Sequence, residues 1–467
     1  METWLKLSLL LCVFGCVKEF RPSEPFITPY LMGEWKNFTG EDIEEIFSTG
    51  TYSYLVELVF VFLVTDLLRY KPVIIFDGIF AIITWSLLIW GFGVPVMQIM
   101  EVFYSFFLAA EVAYYTYIYA QVDKEHYQKV TSHTRAAYLT GRALSGVVSQ
   151  LLVSYNVLDY YELNFISLTA VTLATIWVLF LPSVKHSIYF FRENRESQLE
   201  GIENPGVEIE DAEVSTKLSP DTTDAESKSR SSSQIQPVAS HVRTESRWKA
   251  ACRYMWQDLT QAYSNFYVIK WSIWWALTTC GFLQVLNYVQ MLWQMIIDNN
   301  HLDSKTDIYN GAVEALYTVI GAVTSLLCGW VTLNWQVYGE ATLAACALVE
   351  GALLMLSTQT DTMLVAYVYY ILFGVIHHTM ITVANAEVAK HINEDSYGLI
   401  FGLNTFLAVA FQTILTVIVV DKRGLALDTS TQFMVYGSYY LVLGAVFACM
   451  GVYTLIRVIM KKREVQQ

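Results

Sequence analysis

The chain has little of what protein chemistry usually needs. No H-E-x-x-H pair, no glycine-rich phosphate loop and no nucleophile with a base beside it can be found along the sequence. That argues against an enzyme, against a metal centre or other cofactor, and against a pump driven by ATP. His377 and His378 are adjacent, so on a helix they point apart and read as hydrogen-bonding groups, not ligands. Cysteine is sparse, seven in 467 residues, and all but Cys252 lie in apolar runs. They read as small hydrophobes, with no disulfide framework. Charged residues are only 15% of the chain and their formal sum is −14, which excludes a nucleic-acid partner. The apolar stretch 5–17 is not closed by a small-x-small cleavage site, so it does not read as a signal peptide.

Long apolar runs are what the chain does have. Hydrophobic residues make up 54%, and the mean hydropathy is +0.39. Soluble domains do not look like this. A spanning helix needs about 20 apolar residues. Candidate spans fall at 5–31, 52–68, 73–94, 96–122, 130–155 and 163–184, then at 266–296, 308–335, 342–357, 363–388, 397–420 and 433–460. The expected fold is all-α and integral to a lipid bilayer, with about twelve transmembrane helices in two six-helix halves. Residues 1–191 form the first half and 266–460 the second, with a short tail at 461–467. The linker between the halves, 192–265, is expected to be disordered, because its stretch 192–246 is rich in Glu, Asp, Ser and Thr and poor in aromatics.

Loop charge gives an orientation. Arg69, Lys71, Lys124, Lys129, Lys390, Lys461, Lys462 and Arg463 follow alternate spans, whereas the opposite loops are acidic or neutral. Lys422 and Arg423, beside Asp421, are the exception. The positive-inside rule puts both termini and the linker in the cytosol. Asn37, in an Asn-Phe-Thr triplet, then lies outside, where a glycosylation acceptor belongs.

Two six-helix halves with a long join describe a major facilitator superfamily fold, whose substrate site lies near the midplane between the halves. Polar residues at helix middles are therefore candidates: Glu24, Glu57, Asp77, Glu111, Arg142, Gln284, Asn287, Glu314, Glu350, His377, His378, Glu387 and Gln412. Acids outnumber bases here, and an acidic cavity concentrates cations. A buried acid is also a candidate proton-coupling group. The densest stretch is 109–119, with Glu111 in the middle of an apolar run. On one continuous helix Tyr104, Phe107, Glu111, Tyr114 and Tyr115 share a side. A carboxylate among aromatic faces suits a flat organic cation. A buried Glu bonded to a neighbouring helix, with a tyrosine stripe that only packs, fits the same pattern. Glu24, between Pro22 and Pro25, either lines a cavity or pairs with Arg21 or Lys18. Gln284 and Asn287 share a face of the seventh span.

Several stretches carry a resemblance that runs through both halves. They include R-P-S-E-P-F from Arg21, T-Y-S-Y-L from Thr51, T-D-L-L-R-Y-K-P-V from Thr65 and the Glu111 stretch. Q-L-L-V-S from Gln150, W-S-I-W-W from Trp271, I-Y-N-G-A-V-E from Ile308, F-G-L-N-T-F from Phe401 and Q-T-I-L-T-V-I-V-V-D-K-R-G-L from Gln412 complete the set. On these the chain resembles the vitamin carriers comprising the reduced folate carrier and the thiamine transporters. The resemblance implies a secondary active carrier of the plasma membrane that works by alternating access. It implies a vitamin substrate, thiamine or a similar organic cation; protons as the coupling ion are an expectation from the buried acids Glu24 and Glu111 alone. The folate-type pattern has Arg at the place of Glu111 and Lys at the place of Gln412. The thiamine-type pattern has Glu and Gln, as here, and Glu24, Asn287 and Glu314 match it too. Two positions depart from that pattern: Gly50 stands where it has Trp, and Arg142 where it has an aromatic residue. Arg142 either neutralises Glu57 or Glu111, or binds an anionic group, so reduced folate remains the alternative substrate. A vitamin receptor that no longer transports is the remote one.

Overall fold

The structure is a computed structural model that describes residues 3–122, 126–184, 189–190, 247–301, 308–328, 333–393 and 396–466. Helices make up its regular structure, and no strand occurs among the described residues. The first half contains α1 (Thr3–Lys18), α2 (Ile27–Met32), α3 (Gly40–Leu67), α4 (Lys71–Trp90), α5 (Val94–Ala109), α6 (Glu111–Gln121), α7 (Tyr127–Ser154) and α8 (Tyr160–Val178). Then comes α9 (Arg247–Ala262). The second half contains α10 (Phe266–Asn300), α11 (Asn310–Cys328), α12 (Trp335–Ser357), α13 (Met363–Ala389), α14 (Tyr397–Val419) and α15 (Thr429–Gln466).

Among the described residues, nine spans are long and apolar enough to cross a membrane. They are α3, α4, the α5–α6 run, α8 and α11 to α15. The remaining three expected spans are α1, α7 and α10, which carry polar residues or a break. Helix α1 has only 16 residues before it stops. Helix α7 carries Arg135 and Arg142, and α10 carries Lys270, Gln284 and Asn287. These are also the elements that supply much of the site.

Several boundaries differ from the sequence reading. The span expected at 5–31 ends at Lys18 and resumes as a 3-10 turn, Glu24–Phe26, followed by α2. The run expected as one helix at 96–122 parts at Ala110. The segment expected to be linker, 192–265, contains α9, because Ala250, Ala251, Met255 and Ala262 give it an apolar face to bury. Residues 191–246 lie outside the described residues.

Sequence signals set the ends of other helices. Thr39 caps α3 reciprocally with Asp42, and Asp159 caps α8 with Glu162. Within the halves α3 packs on α5, α4 on α8, and α12 on α15. Across the seam α7 packs on α11 and α3 on α14. At the α7–α11 crossing Gly146 and Gly311 face each other, and a Cβ on either would strike the other's backbone.

Hydrogen bonds across the seam gather at the Asn37 end. Gln290 accepts from the Thr28 N–H at 3.1 Å and donates to the Glu24 carbonyl at 3.0 Å. Gln150 donates to the Ile308 carbonyl at 2.9 Å. Tyr52 donates to Asp421 at 2.8 Å and Gln432 to Glu44 at 2.6 Å. Lys422 lies 3.6 Å from Glu41 and 3.8 Å from Glu45. The halves are thus closed at that end.

Candidate functional site

Proline sets the site. Pro22 and Pro25 lack an N–H and cannot continue α1, so the chain turns between Lys18 and Ile27. Neighbouring helices satisfy the freed groups, as backbone at membrane depth requires. The Ser23 N–H donates to Ser167 Oγ at 3.1 Å, and Ser23 Oγ accepts from Trp85 Nε1 at 3.0 Å. From the other half, Asn310 donates to the Pro25 carbonyl at 3.0 Å.

Charges surround this turn in pairs. Lys18 Nζ lies 2.8 Å from Asp77 Oδ2. Arg21 pairs with Glu19 and with Glu24, each at 2.7 Å, and its guanidinium sits 5.0 Å from the Phe107 ring centre. The Tyr104 hydroxyl also donates to Glu24 Oε1, at 3.0 Å. Even so, the Glu24 side chain is 28% exposed, so solvent reaches the seam here.

Arg142 on α7 makes an ion pair with Glu314 on α11, and Glu314 also accepts from the Tyr317 hydroxyl at 3.1 Å. The expectation that Arg142 neutralises Glu57 or Glu111 is corrected by this contact. Its counter-ion belongs to the opposite half, because the close α7–α11 crossing brings Glu314 nearer.

Glu111 opens α6, half-buried, and no salt bridge to it occurs among the described residues. Ala110 keeps helical backbone angles, φ −68° and ψ −10°, so the interruption is a single turn residue within one spanning run and Glu111 sits just after it. Tyr114 does not stand beside it as a free aromatic face. Its hydroxyl donates to the Leu11 carbonyl at 2.9 Å, and its ring packs 5.4 Å from Phe14. It is 3% exposed and ties α6 to α1. The Tyr115 side chain lies outside the described residues.

The two glutamines likewise bind structure instead of lining the seam. Gln284 is fully buried and donates to Thr416 Oγ1 at 2.8 Å and to the Gln412 carbonyl at 3.2 Å. Gln412 is itself 2% exposed, so both sit between α10 and α14. Asn287, about one turn further along α10, is half-buried and reaches Thr51 Oγ1 of the first half at 3.4 Å. Glu24, Asn287, Arg142 and Glu314 therefore meet at the seam, while Tyr114, Gln284 and Gln412 do not.

Sequence reasoning did not single out Glu101. The structure places it one turn before Tyr104, within electrostatic reach of Glu24. It occupies the space that Gly50 leaves open, and a Cβ at position 50 would fall inside van der Waals contact of its Oε2. The Ser105 hydroxyl, donating to the Gly50 carbonyl at 2.7 Å, locks the two helices at that point. The missing side chain at position 50 was the available signal. It reads as a lost stacking face until the carboxylate that fills the gap is seen.

Comparison with known proteins agrees with this arrangement. The D-xylose–proton symporter structure superposes with a TM-score of 0.62 at 9% identity, over 96% of this chain and 97% of that one. At that identity the likeness concerns the fold, which is the major facilitator fold expected from the helix count. The human protein thiamine transporter 2 is 42% identical, over 97% of this chain and 91% of its own. Folate transporter 1 of Caenorhabditis elegans is 38% identical, over 96% and 92%. The family model described as reduced folate carrier matches residues 2–435. With a family match over nearly its whole length, the chain belongs to the reduced folate carrier family.

Proposed function

We propose that the chain carries a vitamin across the plasma membrane by alternating access between its halves, and that its substrate is thiamine or a related organic cation. One observation carries this reading. Around the turn and the seam the carboxylates Glu19, Glu24, Asp77, Glu101, Glu111 and Glu314 outnumber the bases Lys18, Arg21, Arg135 and Arg142, and Glu101 and Glu111 have no salt bridge among the described residues. The surplus charge is negative, which draws in cations and repels anions. Glu24, Glu101 and Glu111 are the proposed anionic contacts, with Tyr104 as the aromatic neighbour and Asn287 fixing a polar substituent. The relatives named as thiamine transporters support the choice.

The termini and linker are proposed to be cytosolic and Asn37 extracellular and glycosylated. On that orientation, the end closed by the hydrogen bonds described above is the extracellular one. Protons are the proposed coupling ion, with Glu24 as the carrier because its carboxylate is partly exposed at the seam and contacts both Arg21 and Tyr104.

A second reading is uptake of reduced folate or another anionic vitamin. It is favoured by the Arg142–Glu314 pair, whose side chains are 20% and 17% exposed and so could open toward a carboxylate. Labelled uptake into oocytes, with thiamine and reduced folate in competition and pH gradients of both signs, tests the two together. Thiamine uptake that Glu111→Gln removes and that a proton gradient accelerates is the expected result. Folate uptake that ignores thiamine and is lost on Arg142→Phe would overturn the cation reading.

A further inference from the structure

Helix α9 plays no part in the reading above. At 16 residues it is too short to cross a bilayer. It lies at the end of the bundle where α3 finishes and α14 begins, since its buried face packs with Tyr189, Phe190 and Leu399 against Phe62 and Leu67. That seat is built firmly. Asp66 Oδ2 accepts the N–H of Tyr189 at 3.0 Å and of Phe190 at 2.9 Å, and the Tyr70 hydroxyl donates to Oδ1 at 2.6 Å. The Phe190 ring meets Trp248 edge-on at 4.7 Å. Just beyond α9, Tyr263 donates to Asn404 of the second half at 2.9 Å.

The outward face is the unusual one. Two rows run along it at i, i+4 and i+8. One is Trp248, Cys252 and Trp256; the other is Lys249, Arg253 and Gln257. All six are exposed, Trp248 by 48% and Trp256 by 68%. In a chain whose formal charge is −14, this helix has three basic residues and one acid, and the acid, Asp258, is turned inward and buried. A row of indoles beside a row of cations fits the boundary between acyl chains and headgroups, where Trp is enriched and amphipathic basic helices lie flat.

We infer that α9 is an interfacial helix that docks on anionic lipid headgroups of the leaflet at its end of the bundle. Trp248 and Trp256 seat at the acyl boundary, and Lys249 and Arg253 face the phosphates and carboxylates of the headgroups. Charge complementarity selects this occupant: basic segments at a membrane surface are attracted by anionic lipid. Because α9 touches the first half through Tyr189 and Phe190 and the second through Leu399, leaflet charge bears directly on the contact between halves at this end.

The test uses the full chain in nanodiscs of phosphatidylcholine, with or without phosphatidylserine, and no other protein. A bimane label on Cys252 in a Cys449→Ser background reports depth, and Cys252→Ser gives the blank. Nitroxide at the lipid headgroup and iodide in the water compete as quenchers. Headgroup nitroxide is expected to quench severalfold more than iodide, and more so with phosphatidylserine. Lys249→Glu with Arg253→Glu should remove the phosphatidylserine effect, and Trp248→Ala with Trp256→Ala should raise iodide quenching. Quenching by iodide alone would put the face in water and overturn the inference. Equal nitroxide quenching in both lipids, unmoved by charge reversal, would also overturn it. So would protection from both quenchers, which would mean that the chain itself covers the face.

Discussion

The Arg142–Glu314 pair joins the two halves, so it should act as a latch on the state described here. Alternating access must part α7 from α11 at the Asn37 end, and the pair must then open. Removing one partner of a desolvated, hydrogen-bonded charge pair costs about 2–5 kcal/mol. The two side chains are 20% and 17% exposed, and solvent screening puts the cost near the lower limit, about 2 kcal/mol. With a factor of ten for every 1.4 kcal/mol or so, that shifts the balance between closed and open by roughly 30-fold. Thr51 offers the readout. It is 4% exposed, in the helix turn beside Tyr52, whose hydroxyl holds Asp421 across the seam. A Thr51→Cys protein in intact cells, treated with a membrane-impermeant maleimide, should label slowly. Adding Glu314→Gln or Arg142→Met should raise the labelling rate by an order of magnitude or more. Arg142→Met with Glu314→Leu should give a smaller rise than either single change, because no charge is left unpaired in the seam. Unchanged labelling in both single variants, with protein at the surface, would refute the latch. So would a double variant that labels faster than either single one.

Three further outcomes follow from the geometry. Gly50→Trp should displace Glu101 and lower uptake of a cationic substrate, and Glu101→Gln should lower it too without added bulk; unchanged uptake in Glu101→Gln would mean that the glycine serves only helix packing. The Arg423 N–H and the Tyr52 hydroxyl hold the Asp421 carboxyl below its usual range. Its folded form therefore favours the ion, so its share of closure is complete above the ordinary carboxylate range and fades only as pH falls below it. Thr51→Cys labelling should then be flat from about pH 7.5 to about pH 5.5 as far as Asp421 is concerned, and Asp421→Asn should raise labelling equally at both ends of that interval. Asn37, exposed and in a left-handed turn, should carry a glycan that Asn37→Gln removes, seen as a gel shift; an unshifted band would count against the proposed orientation.

Much of this architecture was legible because hydropathy alone separates the runs; the first span reads whole at 5–31, although Pro22 and Pro25 lie where it turns. The break at Ala110 was not legible. No proline or glycine marks it, so 96–122 reads as one continuous helix, and a stripe from Tyr104 to Tyr115 follows. The Leu11 carbonyl of α1 claims the Tyr114 hydroxyl, which leaves Tyr104 as the aromatic neighbour of the acids. Side-chain partners were legible only in kind. A mid-membrane Arg142 needs a counter-ion, but α7 touching α11 decides that it is Glu314. Gln284 shares a helical face with Asn287, yet Thr416 from α14 claims it. Helix α9 was lost inside a polar segment because its apolar face is made largely of alanine, which a composition-based reading hardly registers.

The close approach of Gly146 and Gly311 bears on how such a molecule can move. Side chains that interdigitate must climb out of one another before two helices can turn. Here backbone lies against backbone, with Ser149 and Ala315 as the next neighbours. A contact without side chains has few rotamers to reset, so α7 and α11 can roll on it as on a bearing. The ion pair and the Gln150 bonds on either side would then govern when the roll begins, and the glycines how little it costs once begun.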